Sequence, residues 1–211
     1  MFFVFDGIDG AGKSTQIDLF VQWLQETGHS VVTCSDPGST ELGEQLRAIL
    51  LGRHETPIHM RTEMMMFTTA RTQLVQQIIK PALNRGDCVV LDRYIFSTVV
   101  YQGHAGELDP DELWTVNRIA TESCLPDLTF ILDLPVEIAM PRLGDSLDRM
   151  ESRGPAYMQR VREGFQKEAG RWPDTVEVID ADRELDAIQN DIREIAGGYM
   201  ARKTVRPPRD G

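Results

Sequence analysis

The chain has 211 residues, 41% hydrophobic and 26% charged, the composition of an ordinary soluble globular protein with room for one sizeable α/β core. A formal net charge of −11 argues against broad binding to nucleic acid or acidic membranes, and no apolar run is long enough to span a bilayer. Cys34, Cys88 and Cys124 form no CxxC pair and read as buried thiols, and "MFFVFDG" lacks the basic start of a signal peptide, so a cytoplasmic protein is expected.

Short apolar runs alternate with amphipathic stretches, the signature of βαβ units and a mostly parallel sheet. The first strand is expected over residues 2–5. Ile17, Phe20, Val21 and Leu24 then recur at helical spacing until Gly28 stops the helix. Strands over residues 30–34 and 88–91 bracket a long helical stretch over about 61–84, perturbed near its end by Pro81. "DPDE" (residues 109–112) starts another helix, with Asp109 as N-cap, Pro110 at the first position and Glu112 placed for a capping box. Strands over 128–132 and 176–179 and a helix over 184–196 complete a single domain. Residues 197–211 show no period and are expected to form a mobile tail.

"FDGIDGAGKST" (residues 5–15) follows the first strand and opens the first helix. Gly7-x4-Gly12-Lys13-Ser14 fits the P-loop pattern in its required context. Glycines let backbone N–H groups converge on phosphate oxygens, and the helix N-terminus adds a favourable dipole. The ATP-binding candidates are therefore Gly7, Ile8, Asp9, Gly10, Ala11, Gly12, Lys13, Ser14 and Thr15, with Lys13 on the β- and γ-phosphates and Ser14 on Mg²⁺. No guanine-reading NKxD stretch accompanies the loop. "LDRY" places Asp92 and Arg93 at the end of the third strand, on the sheet edge beside the loop.

With "DPGSTELGEQLR", "MFTTARTQ", "DRYIFSTVVYQG", "LDLP", "LDRMESRG", "VREGF" and "VIDA" following in order, the chain resembles the thymidylate kinases, nucleoside monophosphate kinases of the P-loop fold. The resemblance implies a five-stranded parallel sheet flanked by helices, a short helical lid over about 141–155, a homodimer, and transfer of phosphate from ATP, with Mg²⁺, to dTMP. It assigns Asp9 to the sugar 3′-hydroxyl, and Phe67 and Arg71, one helical turn apart, to the base and its edge or the 5′-phosphate. It gives Pro37 to the pocket by the base methyl, Ser97 and Thr98 to the base, and Tyr101, supported by Gln102, to the exclusion of ribose. Arg93 would clamp the acceptor phosphate, and Asp92 would act through metal-bound water or by orienting Arg93. Some relatives carry an arginine in the phosphate loop where this chain has Gly10, so the lid must supply the cation; Arg149 is the first candidate, Arg153 the second, and Arg142 is also available. Two departures stand out: Gly144-Asp145-Ser146 replaces an Arg-Gly of bacterial relatives, and Ser35 replaces an arginine before the acid and proline of Asp36-Pro37. A kinase for another monophosphate or nucleoside, or a nucleotide-binding regulator without activity, remains an alternative.

Overall fold

A computed structural model describes residues 1–144 and 147–205. Five parallel strands, β1 (Phe2–Asp6), β2 (Val31–Ser35), β3 (Cys88–Asp92), β4 (Leu128–Asp133) and β5 (Val176–Asp180), pair in the order β2-β3-β1-β4-β5. Each predicted strand is found within a residue of its expected bounds. β1 lies at the centre and is buried along its whole length, which is why "FFVFD" reads as a continuous apolar run rather than an alternating one.

Right-handed crossovers place α1 (Lys13–Glu26) on one face of the sheet, where α9 (Leu185–Val205) packs against it. Phe20 of α1 meets Phe3, Phe5 and Phe130 at ring separations of 5.2, 5.4 and 6.0 Å, fixing the helix that follows the glycine loop over the central strands. The other face carries α2 (Glu41–Leu51), α3 (Met60–Leu74), α4 (Lys80–Asn84), α5 (Ile95–Thr98), α6 (Pro110–Thr121), α7 (Val136–Ala139) and α8 (Pro155–Ala169). At the start of α6, Asp109 accepts from the N–H groups of Asp111 and Glu112 as its sequence position requires.

Several expectations are corrected. The helix expected over 61–84 is interrupted by a π-turn, Val75–Ile79, in which the Lys80 N–H reaches back to the Val75 carbonyl. Pro81 has no N–H to continue the ladder, and the wider turn absorbs its ring. Met64, Leu74, Val75 and Ile79 of this stretch are core residues, whereas Met65 is exposed. The C-terminal helix does not end at residue 196: it continues through Val205, because Tyr199 and Met200 pack against the core and Lys203 pairs with Asp127. Residues 206–211 of the expected tail lie outside the described residues. Of the three free thiols only Cys88 is buried; Cys34 sits half-exposed on the edge strand β2, and Cys124 in a loop. The segment expected as a helical lid contains two short 3₁₀ turns, Met140–Leu143 and Glu151–Arg153, and Asp145 and Ser146 lie outside the described residues.

At the carboxyl edge of the sheet, β1, β3, β4 and β5 end in Asp6, Asp92, Asp133 and Asp180, and β2 is followed directly by Asp36.

Candidate active site

The phosphate loop is held at its root by the core, where Ile8 and Ala11 are buried. At Gly10 (φ +81°) a Cβ would lie 2.4 Å from the Ala139 carbonyl oxygen, so α7 leaves no space for the arginine that some relatives carry there. Gly12, in the left-handed region, turns the chain into α1, whose first turn exposes Ser14 and Thr15. The Lys13 ammonium folds back over the loop and donates to the carbonyls of Gly7 (3.2 Å) and Ile8 (2.9 Å). Burial, and the Arg93 guanidinium beside it, push its pKa below the usual lysine range against the pull of Asp9.

Asp9 Oδ1 lies 4.0 Å from the Lys13 ammonium. The same Oδ1 accepts from Arg93 Nη2 at 2.5 Å, and Asp9 Oδ2 accepts from the Tyr101 hydroxyl at 3.1 Å. Burial opposes its charge, but Arg93 and Lys13 outweigh burial and hold the carboxyl at about 2. Arg93 has φ +68°, a left-handed conformation that costs a non-glycine residue about 1–3 kcal/mol and is tolerated only where surroundings enforce it. Here the Arg93 N–H is fixed on the Phe5 carbonyl, and Nη1 donates to the Gly7 carbonyl (3.0 Å), to Ser97 Oγ (3.0 Å) and to Asp6 at 3.4 Å. The Ser97 hydroxyl in turn donates to Asp6 at 2.6 Å. Ser97 thus braces Arg93 and supplies a donor to the fully buried Asp6, and it also lines the adjoining cleft.

A cleft opens beside this knot. Asp9, Pro37, Phe67, Arg71, Arg93, Ser97, Thr98, Tyr101 and Gln102, the whole candidate acceptor set, all line it. Phe67 is half-buried, leaving a ring face available. Arg71 is 1% exposed; it donates through Nε to Asp36 (2.5 Å), through Nη2 to the Tyr94 carbonyl (3.0 Å) and through Nη1 to Asn117. Its rigid fork therefore presents a fixed edge to the cleft. The Thr98 hydroxyl and Asp36 Oδ1 are buried without protein partners, so polar groups remain for a ligand to satisfy. Tyr101 and Gln102 stand on a second π-turn, Val99–His104, whose extra residue per turn re-aims them toward the cleft. The Tyr101 ring lies under the Arg93 guanidinium, 5.2 Å from ring centre to guanidinium carbon.

The arginines of the segment after α7 separate into two groups. Arg142 Nη1 donates to the Gly10 carbonyl of the phosphate loop at 3.4 Å. Arg149 and Arg153 both pair with Glu63, at 2.6 Å each, so the first-choice cations are drawn to a buried carboxylate of α3 rather than to the loop. Arg149 retains a buried Nη2 without a partner. Asp92 Oδ1 is likewise buried and unpartnered at the strand end beside the loop.

Sequence reasoning passed over Glu63, Arg47, Asn117, Leu51, Asp148 and Met150. Arg47 donates to the Pro37 carbonyl (2.8 Å), and with Leu51, Asp148 and Met150 it lines the cleft. Arg47 stands in "DPGSTELGEQLR" and Asp148 and Met150 in "LDRMESRG", and Glu63 forms with Phe67 and Arg71 an i, i+4, i+8 stripe on one helix face.

The family model described as thymidylate kinase matches residues 5–192. The chain is 41% identical over 194 residues to a thymidylate kinase of an Exiguobacterium species, covering 91% of this chain and 92% of that protein. It is 42% identical over 190 residues to one from Rhodopirellula baltica, covering 90% and 77%. The crystal structure of thymidylate kinase from Ehrlichia chaffeensis superimposes with a TM-score of 0.76 at 29% identity, covering 93% of this chain and 98% of that one. With the phosphate loop, the adjoining cleft and the parallel sheet all in the order these matches require, the chain belongs to the thymidylate kinase family.

Proposed function

We propose that this protein transfers the γ-phosphoryl group of ATP to the 5′-phosphate of dTMP, yielding ADP and dTDP. The observation that carries this reading is Asp9, a carboxylate within the phosphate loop that pairs with Arg93 and Tyr101 on the wall of the adjoining cleft. A loop serving ATP alone gains nothing from that charge, whereas a carboxylate on the cleft wall can accept a further hydrogen bond from a sugar hydroxyl.

In this reading the ATP phosphates rest on the backbone of residues 7–15 and on Lys13. The acceptor's pyrimidine stacks on Phe67 with its edge against Arg71 and the free Thr98 hydroxyl. Arg93, fixed at the junction of loop and pocket, holds the acceptor phosphate for in-line attack. An acceptor oxygen bonds to the γ-phosphorus as the bond to the β,γ-bridging oxygen breaks, and catalysis consists of alignment and charge stabilisation. Arg142, on the Gly10 carbonyl, is the arginine placed to meet charge developing on the transferred group. The Ser14 hydroxyl and Asp92, whose buried Oδ1 has no partner, would hold Mg²⁺, a cation that takes such hard oxygen donors alongside waters and phosphates. A Mg²⁺ ion held there would supply positive charge against the phosphates.

We place this activity in the cytoplasm, consistent with three unpaired thiols; among the described residues no helix is long and apolar enough to cross a membrane. We also propose a homodimer, supported by exposed Met65 on α3 and Ile119 on the neighbouring α6. Incubating the protein with ATP, Mg²⁺ and each nucleoside monophosphate separately, and measuring ADP and diphosphate products, tests the reading. dTMP should be the preferred acceptor; no dTDP, or faster turnover of another monophosphate, would overturn it.

A further inference from the structure

Glu63 lies one helical turn before Phe67 on α3 and is fully buried, yet it does not line the cleft. A carboxylate this far from water is sustained only by matched donors. Its Oε2 accepts from Arg153 Nη2 and pairs with Arg149 Nη1 at 2.6 Å, and its Oε1 accepts from Gln102 Nε2 at 2.7 Å. These donors come from two different pieces of the protein, residues 147–153 and the second π-turn. The first piece supplies Asp148 and Met150 to the cleft and is tied to the end of α2, where Arg149 donates through its N–H to the Leu51 carbonyl and through Nε to the Leu50 carbonyl. Arg153 also donates to the Tyr157 hydroxyl (2.7 Å), which donates to the Tyr101 carbonyl (2.6 Å). One buried side chain therefore joins the cover of the cleft to the wall that carries Tyr101 and Gln102.

We propose that Glu63 is a positioning residue for the phosphoryl transfer: a latch that holds residues 147–153 over the acceptor pocket through Arg149 and Arg153, so that the pocket closes and water is excluded. The proposal rests on the kinase reading above. Without the carboxylate, two guanidinium groups lose a shared partner and cannot stay where they are, so the segment carrying Asp148 and Met150 leaves the cleft. The acceptor then binds less tightly, and water enters as a competing acceptor. In that side reaction a water oxygen bonds to the γ-phosphorus, the bond to the β,γ-bridging oxygen breaks, and the proton passes to solvent, giving ADP and inorganic phosphate.

Wild-type turnover of dTMP is measured first and bears on the kinase reading alone. Glu63→Gln, which keeps the shape and removes the charge, should raise KM for dTMP about tenfold or more and lift the ratio of ADP to dTDP formed above one. Glu63→Asp should recover part of both effects. A readout independent of turnover is limited trypsin digestion without nucleotide, in which cleavage after Arg149 and Arg153 should speed up in Glu63→Gln while the thermal transition remains cooperative. If Glu63→Gln does not fold, Arg153→Met, which removes one arm of the latch, should show the same shift in KM and product ratio. A folded variant with unchanged KM, product ratio and digestion rate overturns the proposal, as does a fall in kcat accompanied by none of these changes.

Discussion

Asp9 carries its charge into a loop otherwise built from backbone N–H groups, and its two oxygens are occupied by Arg93 and the Tyr101 hydroxyl. With the carboxyl held at about 2, below the ordinary value near 4, Asp9 contributes stability that is complete above about pH 4 and lost as pH falls toward the folded value. Asp9→Asn should therefore narrow the difference in urea midpoint between pH 7 and pH 3; an unchanged difference would mean that its ion pair is not formed in solution. Tyr101 makes a separate test. Tyr101→Ala should reduce the preference for dTMP over its ribose counterpart by opening space beside the sugar, while Tyr101→Phe, which keeps the ring and drops the bond to Asp9, should retain it. Specificity constants for the two nucleotides in all three proteins decide the matter, and an equal loss in both variants would assign the preference to the hydroxyl. At this scale Asp9, Phe67, Arg71, Arg93 and Tyr101 were singled out through motifs shared with the family, and all five line the cleft. Asn117 on Arg71 and Arg47 on the Pro37 carbonyl were not singled out, since bonds between elements far apart in the chain leave no period behind. Ser97 was legible as polar but not as a brace, because the demand that occupies it comes from the buried Asp6 on another strand.

Among the elements, the strands were readable almost to the residue, as buried parallel strands are short apolar runs with sharp ends. The two π-turns were not readable, because one added residue shifts a helical face without changing composition. That shift matters most in Val99–His104, where it turns Tyr101 and Gln102 toward the cleft. The connection between α7 and α8 divides its arginines by location: Arg142 touches the phosphate loop, whereas Arg149 and Arg153 hold a carboxylate of α3. Arg142→Ala should lower kcat on the order of a hundredfold with little change in KM for dTMP, the mark of a charge that acts mainly in the transition state. Arg153→Ala should chiefly raise that KM. Steady-state kinetics on both variants checks the division; the reverse pattern would return the transferring cation to Arg153.

Across the whole molecule, three of the acids at the carboxyl edge of the sheet meet arginines, Asp36 with Arg71, Asp6 with Arg93 and Asp133 with Arg162, and Asp9 of the phosphate loop shares Arg93. At the same time the chain is strongly acidic, with a net charge of −11, so an approaching nucleotide is repelled at long range until salt screens the field within about 8 Å. The protein thus carries its own counterions. A small anion such as sulfate or free phosphate can offer Arg71 or Arg93 only what an aspartate already gives, and must displace that aspartate to do so. A nucleotide brings a base edge, a sugar hydroxyl and a phosphate together, and can repay several exchanges at once. Discrimination against the abundant simple anions of a cell is in this way written into the ends of the strands, before any contact with a base is made.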